Sequence, residues 1–467
     1  MSWQTIVKEN NIDANEVYSS KLFGSLRIDA ECYQQKYLGI DFLLSKKSTK
    51  PLGEYAKITD GDHSKFPEDQ KEDVRYLRSK DIKNYFLVDN DPVFVSKEYF
   101  NKQKRSHIFG ENILISIMGN VGDITITPKD FDTCIANRAV CILKNININP
   151  YFLFAYLISD VANLNIERLK TGGVQERINL EILQTLPIPI SQDENLNKKI
   201  EDFVVSAHKV NEQSKKSLSE AEQMLLKEIN LEGYKASDEG VAVRNFSEAL
   251  ADNRFDAEYW QPDYDVILDT LSVYKKGVST IGDEFKQIKN NFKKDKEKEY
   301  NYIEIGDVNV STGEVEHNSV IGAELPANAK IKFGKRQLIT SKVRPNRGAT
   351  AILDNHEGYI GSGAFTVLTE QESINLETLM VYLKTQPIRE LLLRYNTGTS
   401  YPVITDADVL KLPIPLIDKS VQKKISELVS VSATERQEAK MLLEKAKRAV
   451  EIFVEKDEKE AIAFINK

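Results

Sequence analysis

The chain is written twice. Leu186-Pro187-Ile188-Pro189-Ile190 leads into a long charged segment with helical periodicity, and Leu412-Pro413-Ile414-Pro415-Leu416 does the same 226 residues later, almost half of the 467-residue chain. The offset recurs elsewhere. Arg27-Ile28-Asp29-Ala30-Glu31-Cys32-Tyr33 returns as Arg254-Phe255-Asp256-Ala257-Glu258-Tyr259-Trp260 at 227, Tyr76 to Ile82 as Tyr302 to Val308 at 226, and Leu114-Ile115-Ser116 as Leu338-Ile339-Thr340 at 224. Asn120 and Gly122 match Asn346 and Gly348, Thr171-Gly172 matches Thr397-Gly398, and Lys198-Lys199-Ile200 matches Lys423-Lys424-Ile425. Each match alone is weak, but their conserved order and nearly constant offset are not chance. A period this long is domain-sized and is not the unit of a solenoid.

Between the repeated landmarks the texture is that of a mixed α/β domain with a mainly β body. Pro92 to Val95, Ile113 to Ile117 and Asp123 to Thr127 have strand composition, as do Lys335 to Thr340, Ala349 to Leu353 and Ala364 to Leu368. Gly and Asn punctuate these runs, as in Gly119-Asn120-Val121-Gly122 and Thr59-Asp60-Gly61-Asp62. Asn149 to Leu164 and Leu376 to Leu393 read as helix pairs. Each is followed by a loop, Thr171 to Arg177 and Thr397 to Pro402, and by a short helix or turn into the Leu-Pro-Ile-Pro strand. Arg27 to Leu44 reads as a helix or helix-turn.

The segments after the proline motifs carry an apolar seam. In the first, Leu196, Ile200, Phe203, Ala207 and Val210 step by four and three, and Leu218, Ala221, Leu225 and Ile229 resume beyond Ser214 and Ser217. In the second, Val421, Ile425, Leu428 and Ser432 open the seam, and Leu442, Leu443, Ala446, Ala449, Val450, Phe453 and Val454 close it. A narrow stripe on a charged helix needs one partner stripe, and the other helix supplies it. The expected fold is α+β. It has a first mixed α/β domain over residues 1–190, a spacer helix over 191–235, a second such domain over 236–416 and a second spacer helix over 417–467, the helices packing as an antiparallel coiled coil.

Composition excludes several function classes. No apolar run approaches the roughly 20 residues of a membrane helix, and MSWQTIVKENN lacks the basic start and apolar run of a signal peptide. Cys32, Cys134 and Cys141 have no metal-ligand spacing and read as reduced thiols of a cytoplasmic protein. The five histidines neither repeat nor cluster, so no metal site is expected. There is no phosphate-cradling or dinucleotide glycine motif. Gly361-Ser362-Gly363 is a fragment of a nucleophile elbow whose counterpart, Ala136-Asn137-Arg138, has no serine. The repeated Asp29/Glu31 and Asp256/Glu258 pairs could chelate a cation in a metal-dependent nuclease. A helix cap, or a pairing with the arginine two residues before, accounts for them more simply, because no third acidic position or histidine recurs beside them.

The net charge of −8 gives no global push toward nucleic acid, so a DNA surface must be local. Arg and Lys read guanine edges and neutralise phosphates, and Asn and Gln read adenine edges. The loop-rich candidates are Lys102, Lys104 and Arg105, Asn120, Gln175 and Arg177 in the first copy. In the second they are Lys342, Arg344, Asn346, Arg347, Ser400 and Tyr401, where Pro345 and Gly348 define the loop. The lysine-rich run from Lys286 to Lys298 is equally well read as a solvated face.

These residues together resemble the specificity subunit of a Type I restriction-modification system. The repeated Arg-Ile/Phe-Asp-Ala, Thr-Gly and Leu-Pro-Ile-Pro landmarks with their Lys-Lys-Ile helix starts carry the likeness over essentially the whole chain. The resemblance implies a non-catalytic subunit whose two target recognition domains each read one half of a split, asymmetric duplex site, while the helices fix the spacer. It implies two methylation subunits docked on the helices, near Lys198, Lys199, Lys423 and Lys424, and a restriction or translocase subunit. It places S-adenosylmethionine in the partner methylation subunits and no cofactor in this chain. Specificity subunits of some Type II systems share the plan, and a coiled-coil adaptor that never touches DNA is the alternative from another class.

Overall fold

The structure is a computed structural model that describes residues 28, 30–64, 73–89, 92–172, 176–236, 241–398 and 400–466. The chain forms two compact units, one of residues 1–211 with 436–467, the other of residues 212–435.

The first unit holds two four-stranded sheets. One has the order Phe94–Val95, Val74–Leu77, Cys134–Ala136, His107–Ile108, the other Lys57–Asp60, Val140–Lys144, Ile113–Ser116, Ile124–Ile126. Cys134–Ala136 runs parallel to Val74–Leu77, and the remaining pairs in both sheets are antiparallel. Residues on successive positions of a strand face opposite sides. Leu114, Val140 and Ile142 pack with Leu77, Ile82 and Ile108, whereas Ile113, Ile115, Cys141 and Leu143 join the core under the helices. The sheet is thus covered on both faces, which is why Ile113 to Ile117 reads as an unbroken apolar run. Helices Pro150–Leu157 and Asp160–Leu169 form the covering layer. The first is buried along its whole length, as its apolar composition requires.

The second unit repeats this order strand for strand. One sheet runs Asn318–Ile321, Glu299–Ile303, Ile360–Ser362, Ala329–Lys332, the other Phe285–Gln287, Phe365–Glu370, Gln337–Ser341, Thr350–Leu353. Again one pair, Glu299–Ile303 with Ile360–Ser362, is parallel. Helices Leu376–Lys384 and Gln386–Leu393 cover it. The polar fixings repeat too. Asn149 and Asn375 cap the first covering helices. The Tyr156 hydroxyl donates to the Pro187 carbonyl at 2.9 Å, and Tyr382 to that of Pro413 at 2.5 Å. Both tyrosines are fully buried, and burial pushes both hydroxyls well above their usual range, so each is a neutral donor.

Each proline motif is a three-residue strand. Pro187–Pro189 pairs with Thr49–Pro51 and Pro413–Pro415 with Val278–Thr280, both antiparallel. Proline has no N–H to donate, so it is tolerated only on an edge, as every strand of a two-stranded ladder is. The isoleucine between the prolines is fully buried in both copies.

The spacer helices are Glu194–Glu228 and Lys419–Glu455. At about 1.5 Å per residue they are about 52 and 55 Å long. In the first unit Leu196, Ile200, Val204 and Ala207 share a core with Ala439, Leu443, Ala446 and Val450. In the second, Ala221, Leu225 and Ile229 share one with Ile425 and, at its edge, Leu428. Low-numbered residues of one helix meet high-numbered residues of the other, so the segments are antiparallel. Ser432 Oγ donates to the Ser214 carbonyl at 2.7 Å across this seam. One seam position differs from the sequence expectation. Val204 is fully buried and Phe203 is only partly so, because the stripe steps 196, 200, 204, 207, and an adjacent large side chain lies on its shoulder.

Gly361 and Ser362 belong to a buried strand. A β-carbon on Gly361 would meet the Phe333 ring at 2.1 Å. Ser362 Oγ accepts from Asn328 Nδ2 at 2.6 Å and from the Ala364 amide at 3.2 Å. The serine is a structural hydrogen-bonding group, not an exposed nucleophile. The three cysteines are buried and unpaired with one another. Burial pushes the Cys134 thiol up to about 12 and that of Cys141 higher still. A thiol reagent at pH 8 therefore labels no cysteine in the folded protein and all three after denaturation. Rapid native labelling of Cys134 or Cys141 would contradict this packing.

Candidate nucleic-acid interface

In both units, two loops far apart in sequence are zipped together. In the first, Met118 forms an isolated antiparallel bridge with Arg177, and the Ile178 amide donates to the Ile117 carbonyl at 3.2 Å. In the second, Val343 bridges Val403, the Ile404 amide donates to Lys342 O at 2.9 Å, and the Arg344 amide to Pro402 O at 2.7 Å. The Asn-x-Gly and Thr-Gly landmarks of the sequence thus frame one two-loop surface per unit.

The second of these surfaces collects six of the candidate residues. Arg344, Asn346, Arg347, Ser400 and Tyr401 are exposed. The Arg344 guanidinium lies 5.4 Å from the centroid of the Tyr401 ring, close enough for a cation–π contact. Arg344 takes a left-handed backbone conformation (φ 51°), as does Gly348 (φ 73°) at the other end of the short turn Pro345–Arg347. The turn is tied down by Arg389, which donates to the Asn346 carbonyl at 3.2 Å. Lys342 differs from its neighbours. Its side chain is 17% exposed and pairs with Asp406 at 2.9 Å. Burial pushes the Asp406 carboxyl up, but hydrogen bonds from Thr366 and Lys342 outweigh it and hold the group below its usual value.

In the first unit Asn120 is exposed in the turn between Gly119 (φ 83°) and Gly122 (φ 103°), and Arg177 is exposed beside it in the paired loop. Gln175 lies outside the described residues. Lys102, Lys104 and Arg105 sit on a second feature. Lys102 ends the helix Lys97–Lys102 and pairs with Glu98 at 2.7 Å, and Lys104 is exposed. Arg105 pairs with Asp60 and lines a cleft of about 300 Å³ with Asp62, His63, Ser64 and Gln103. His63 Nε2 lies 2.5 Å from Asp60 Oδ2, and the Tyr99 hydroxyl donates to Asp62. The cleft depends on Gly61, where a β-carbon would meet the Asn137 carbonyl oxygen at 2.1 Å. Sequence reasoning missed these aspartates as partners. The Thr-Asp-Gly-Asp turn was visible, but its proximity to Arg105 is set by sheet order.

The Arg-Phe-Asp-Ala landmark supports the loops. Arg254 donates two hydrogen bonds to Asp256, at 2.7 and 2.6 Å, which hold that carboxyl below its usual range. Arg254 also donates to the Asn396 carbonyl, at the base of the loop that carries Ser400 and Tyr401, at 3.2 Å. Arg394 stacks over Tyr259 at 4.4 Å, and at the equivalent place Arg168 stacks over Tyr33 at 5.4 Å. Asp256 is therefore the partner of the arginine two residues before it. Arg27 and Asp29 lie outside the described residues. On the spacer helices Lys198 pairs with Glu201 and Asp202, Lys423 approaches Glu427 at 4.0 Å, and Lys199 and Lys424 are exposed. Among the described residues no helix is long and apolar enough to cross a membrane.

The chain is similar to several known proteins. Crystal structures of a Type I restriction-modification S subunit from M. genitalium and of the HsdS subunit from Thermoanaerobacter tengcongensis align with TM-scores of 0.36 and 0.29 at 13% and 14% identity. The alignments cover 87% and 88% of this chain and 95% and 97% of those chains. The Type I restriction enzyme HindI specificity subunit of Haemophilus influenzae is 28% identical over 132 residues, and the EcoBI specificity subunit of Escherichia coli 26% identical over 156. The matched stretches span 26% and 32% of this chain, and 28% and 33% of those relatives. The model of the family described as Type I restriction modification DNA specificity domain matches twice, at residues 45–223 and 274–439. With the family matched over most of its length and in both copies, the chain belongs to the Type I restriction modification DNA specificity domain family.

Proposed function

We propose that this chain reads a bipartite, asymmetric site in duplex DNA, one half per recognition domain, and brings two methylation subunits and a restriction or translocase subunit to it. One observation carries the reading. Both units build the same zipped two-loop platform, Met118 with Arg177 and Val343 with Val403, and place unlike side chains on it. A shared scaffold with divergent polar tips is what two readers of unlike half-sites require.

The second platform offers Arg344 and Arg347 to guanine edges or phosphates, Asn346 to adenine, and Tyr401 as a flat wall that holds Arg344. Lys342, bound to Asp406, positions the loop. In the first unit Asn120 and Arg177 occupy the platform, and Arg105 rests against the Asp60 carboxylate, which it can exchange for an acceptor on DNA. The chain itself is non-catalytic and works in the cytoplasm. S-adenosylmethionine belongs to the methylation subunits, which dock along the helices near Lys198, Lys199, Lys423 and Lys424.

The test is selection of duplexes from a random pool by this chain in complex with its methylation subunits. The expected result is a motif of two unlike halves at a fixed gap. Arg344→Ala then weakens the second half alone, by roughly 1–3 kcal/mol if the contact is bidentate. Selection of no sequence by an intact, methylation-competent complex would overturn the reading.

A further inference from the structure

The lysine-rich run of the second copy folds into a groove that the reading loops do not include. It has a volume of about 450 Å³ and is lined by Asn291, Lys293, Lys298, Tyr300, Asn301 and Lys332, with Glu299 and Glu357 also on its walls. Lys293, Lys298 and Lys332 are exposed. Among the described residues none of the three is in an ion pair, in contrast to Lys342 and Arg105, which are held by aspartates. Lys298 lies 5.7 Å from the Tyr300 ring centroid. The floor is rigid. The Phe292 amide donates to Lys330 O at 3.0 Å, the Lys332 amide to Asn290 O at 3.1 Å, and the Phe292 and Tyr300 rings pack edge to face at 4.9 Å.

Two further observations give the groove a direction and set it apart from its counterpart in the first unit. Ile360 lines the groove, and its strand, Ile360–Ser362, leads to Ala364, whose carbonyl accepts from the Lys342 amide of the reading loop at 2.8 Å. Ala364 lies four residues beyond Ile360, the last two in a turn, so at most about 14 Å of chain separates them, or about four base pairs of duplex at about 3.4 Å each. That separation puts the groove within reach of a duplex seated on the loop. In the first unit the end of the strand Lys57–Asp60, which matches Phe285–Gln287 in sheet order, carries the cleft of Asp60, Asp62 and His63. Among the described residues that cleft carries two aspartates and one arginine, where the groove carries three lysines.

We propose that this groove grips the sugar-phosphate backbone of the duplex beside the second half-site, with Lys293, Lys298 and Lys332 each neutralising a phosphate and Asn291 and Asn301 donating to backbone oxygens. The groove sets affinity and carries no sequence preference. This rests on the reading proposed above, and the test separates the two. The triple variant Lys293→Gln/Lys298→Gln/Lys332→Gln is compared with the parent, each in complex with the methylation subunits, by titrating a duplex that holds the selected site and measuring affinity against salt. Three lost phosphate contacts lower the slope of log affinity against log salt by about 2.7. The affinity that the parent loses between about 50 and about 200 mM salt then shrinks by about 40-fold in the variant. The selected sequence stays the same. A parent that selects no sequence overturns the function. A parent that selects one, with a variant of unchanged salt slope, overturns the groove alone, and a changed second half-site shows that the lysines read bases instead.

Discussion

Exchanging residues 1–190 for those of a relative with a different recognition sequence changes one half of the methylated site and leaves the other half as it was. The expectation follows from where the junction falls. Pro187–Pro189 closes a ladder with Thr49–Pro51 inside the exchanged segment, so the cut after Ile190 separates no strand from its partner. Ser191, Gln192 and Asp193, which hydrogen-bond to Glu458 at the start of the short helix Glu458–Ile465, stay with their partner. The contacts that do cross the cut are both polar and apolar. Asp160 pairs with Lys447 at 2.7 Å and its amide donates to Glu451 at 3.0 Å, and Lys47 donates to the Lys456 carbonyl at 2.6 Å. Phe152 and Phe453 pack edge to face at 5.8 Å, and the covering helices share a core with Leu443, Ala446 and Val450. The donor must keep residues of like volume there, since creating a cavity under a core aromatic costs about 3–5 kcal/mol. With those matched, methylation by the chimera in cells, read by sequencing of modified bases, keeps the second half-site. A chimera that folds and methylates the parent site unchanged would show that residues 1–190 do not read DNA.

Adding seven residues to each spacer helix lengthens the gap between the half-sites, and adding them to one helix abolishes specific methylation. Seven residues extend a helix by about 10.5 Å, close to three base pairs at about 3.4 Å per pair. Seven is close to two helical turns, so the seam of Ala207, Ser214 and Ala221 continues on the same face. The insertions belong opposite one another, near Ser214 and Ser432, where the hydrogen bond between them marks the register. An insertion in one helix alone pushes Leu196, Ile200 and Val204 past Leu443, Ala446 and Val450 and exposes charged neighbours to the seam. A double-insertion variant that methylates the parent sequence would sink the role of the helices as a ruler.

The duplication and the proline strands were readable from residue order, because each rests on local periodicity or on the rigid chemistry of proline. The spacer helices were readable in kind, but Glu194–Glu228 and Lys419–Glu455 stop short of residues 235 and 467, the second at a break before the helix Glu458–Ile465. The seam was readable except where two apolar neighbours compete. Phe203 and Val204 fit the stripe almost equally, and only the partner helix decides that Val204 is enclosed. Sheet order was not readable, since the pairing of Val74–Leu77 with Cys134–Ala136 joins segments about sixty residues apart. The paired-loop surface was half legible. Turn residues exposed the two loops of each unit, yet their bridging, Val343 to Val403, depends on the whole intervening domain. Lys342 and Arg105 look like free cations in the sequence. Their aspartates, Asp406 and Asp60, lie 64 and 45 residues away and are brought in by tertiary packing. For the same reason the lysine run looked like a solvated face, because Asn301, Lys332 and Tyr359, which make it a groove, come from three other strands or turns.

The most direct test of the central claim is single-molecule sequencing of methylated bases in DNA from cells that express this chain with its methylation subunit. The account predicts one split motif whose two halves differ and whose gap is constant. A continuous motif, or no motif while the methylation subunit is active with another specificity subunit, would contradict it.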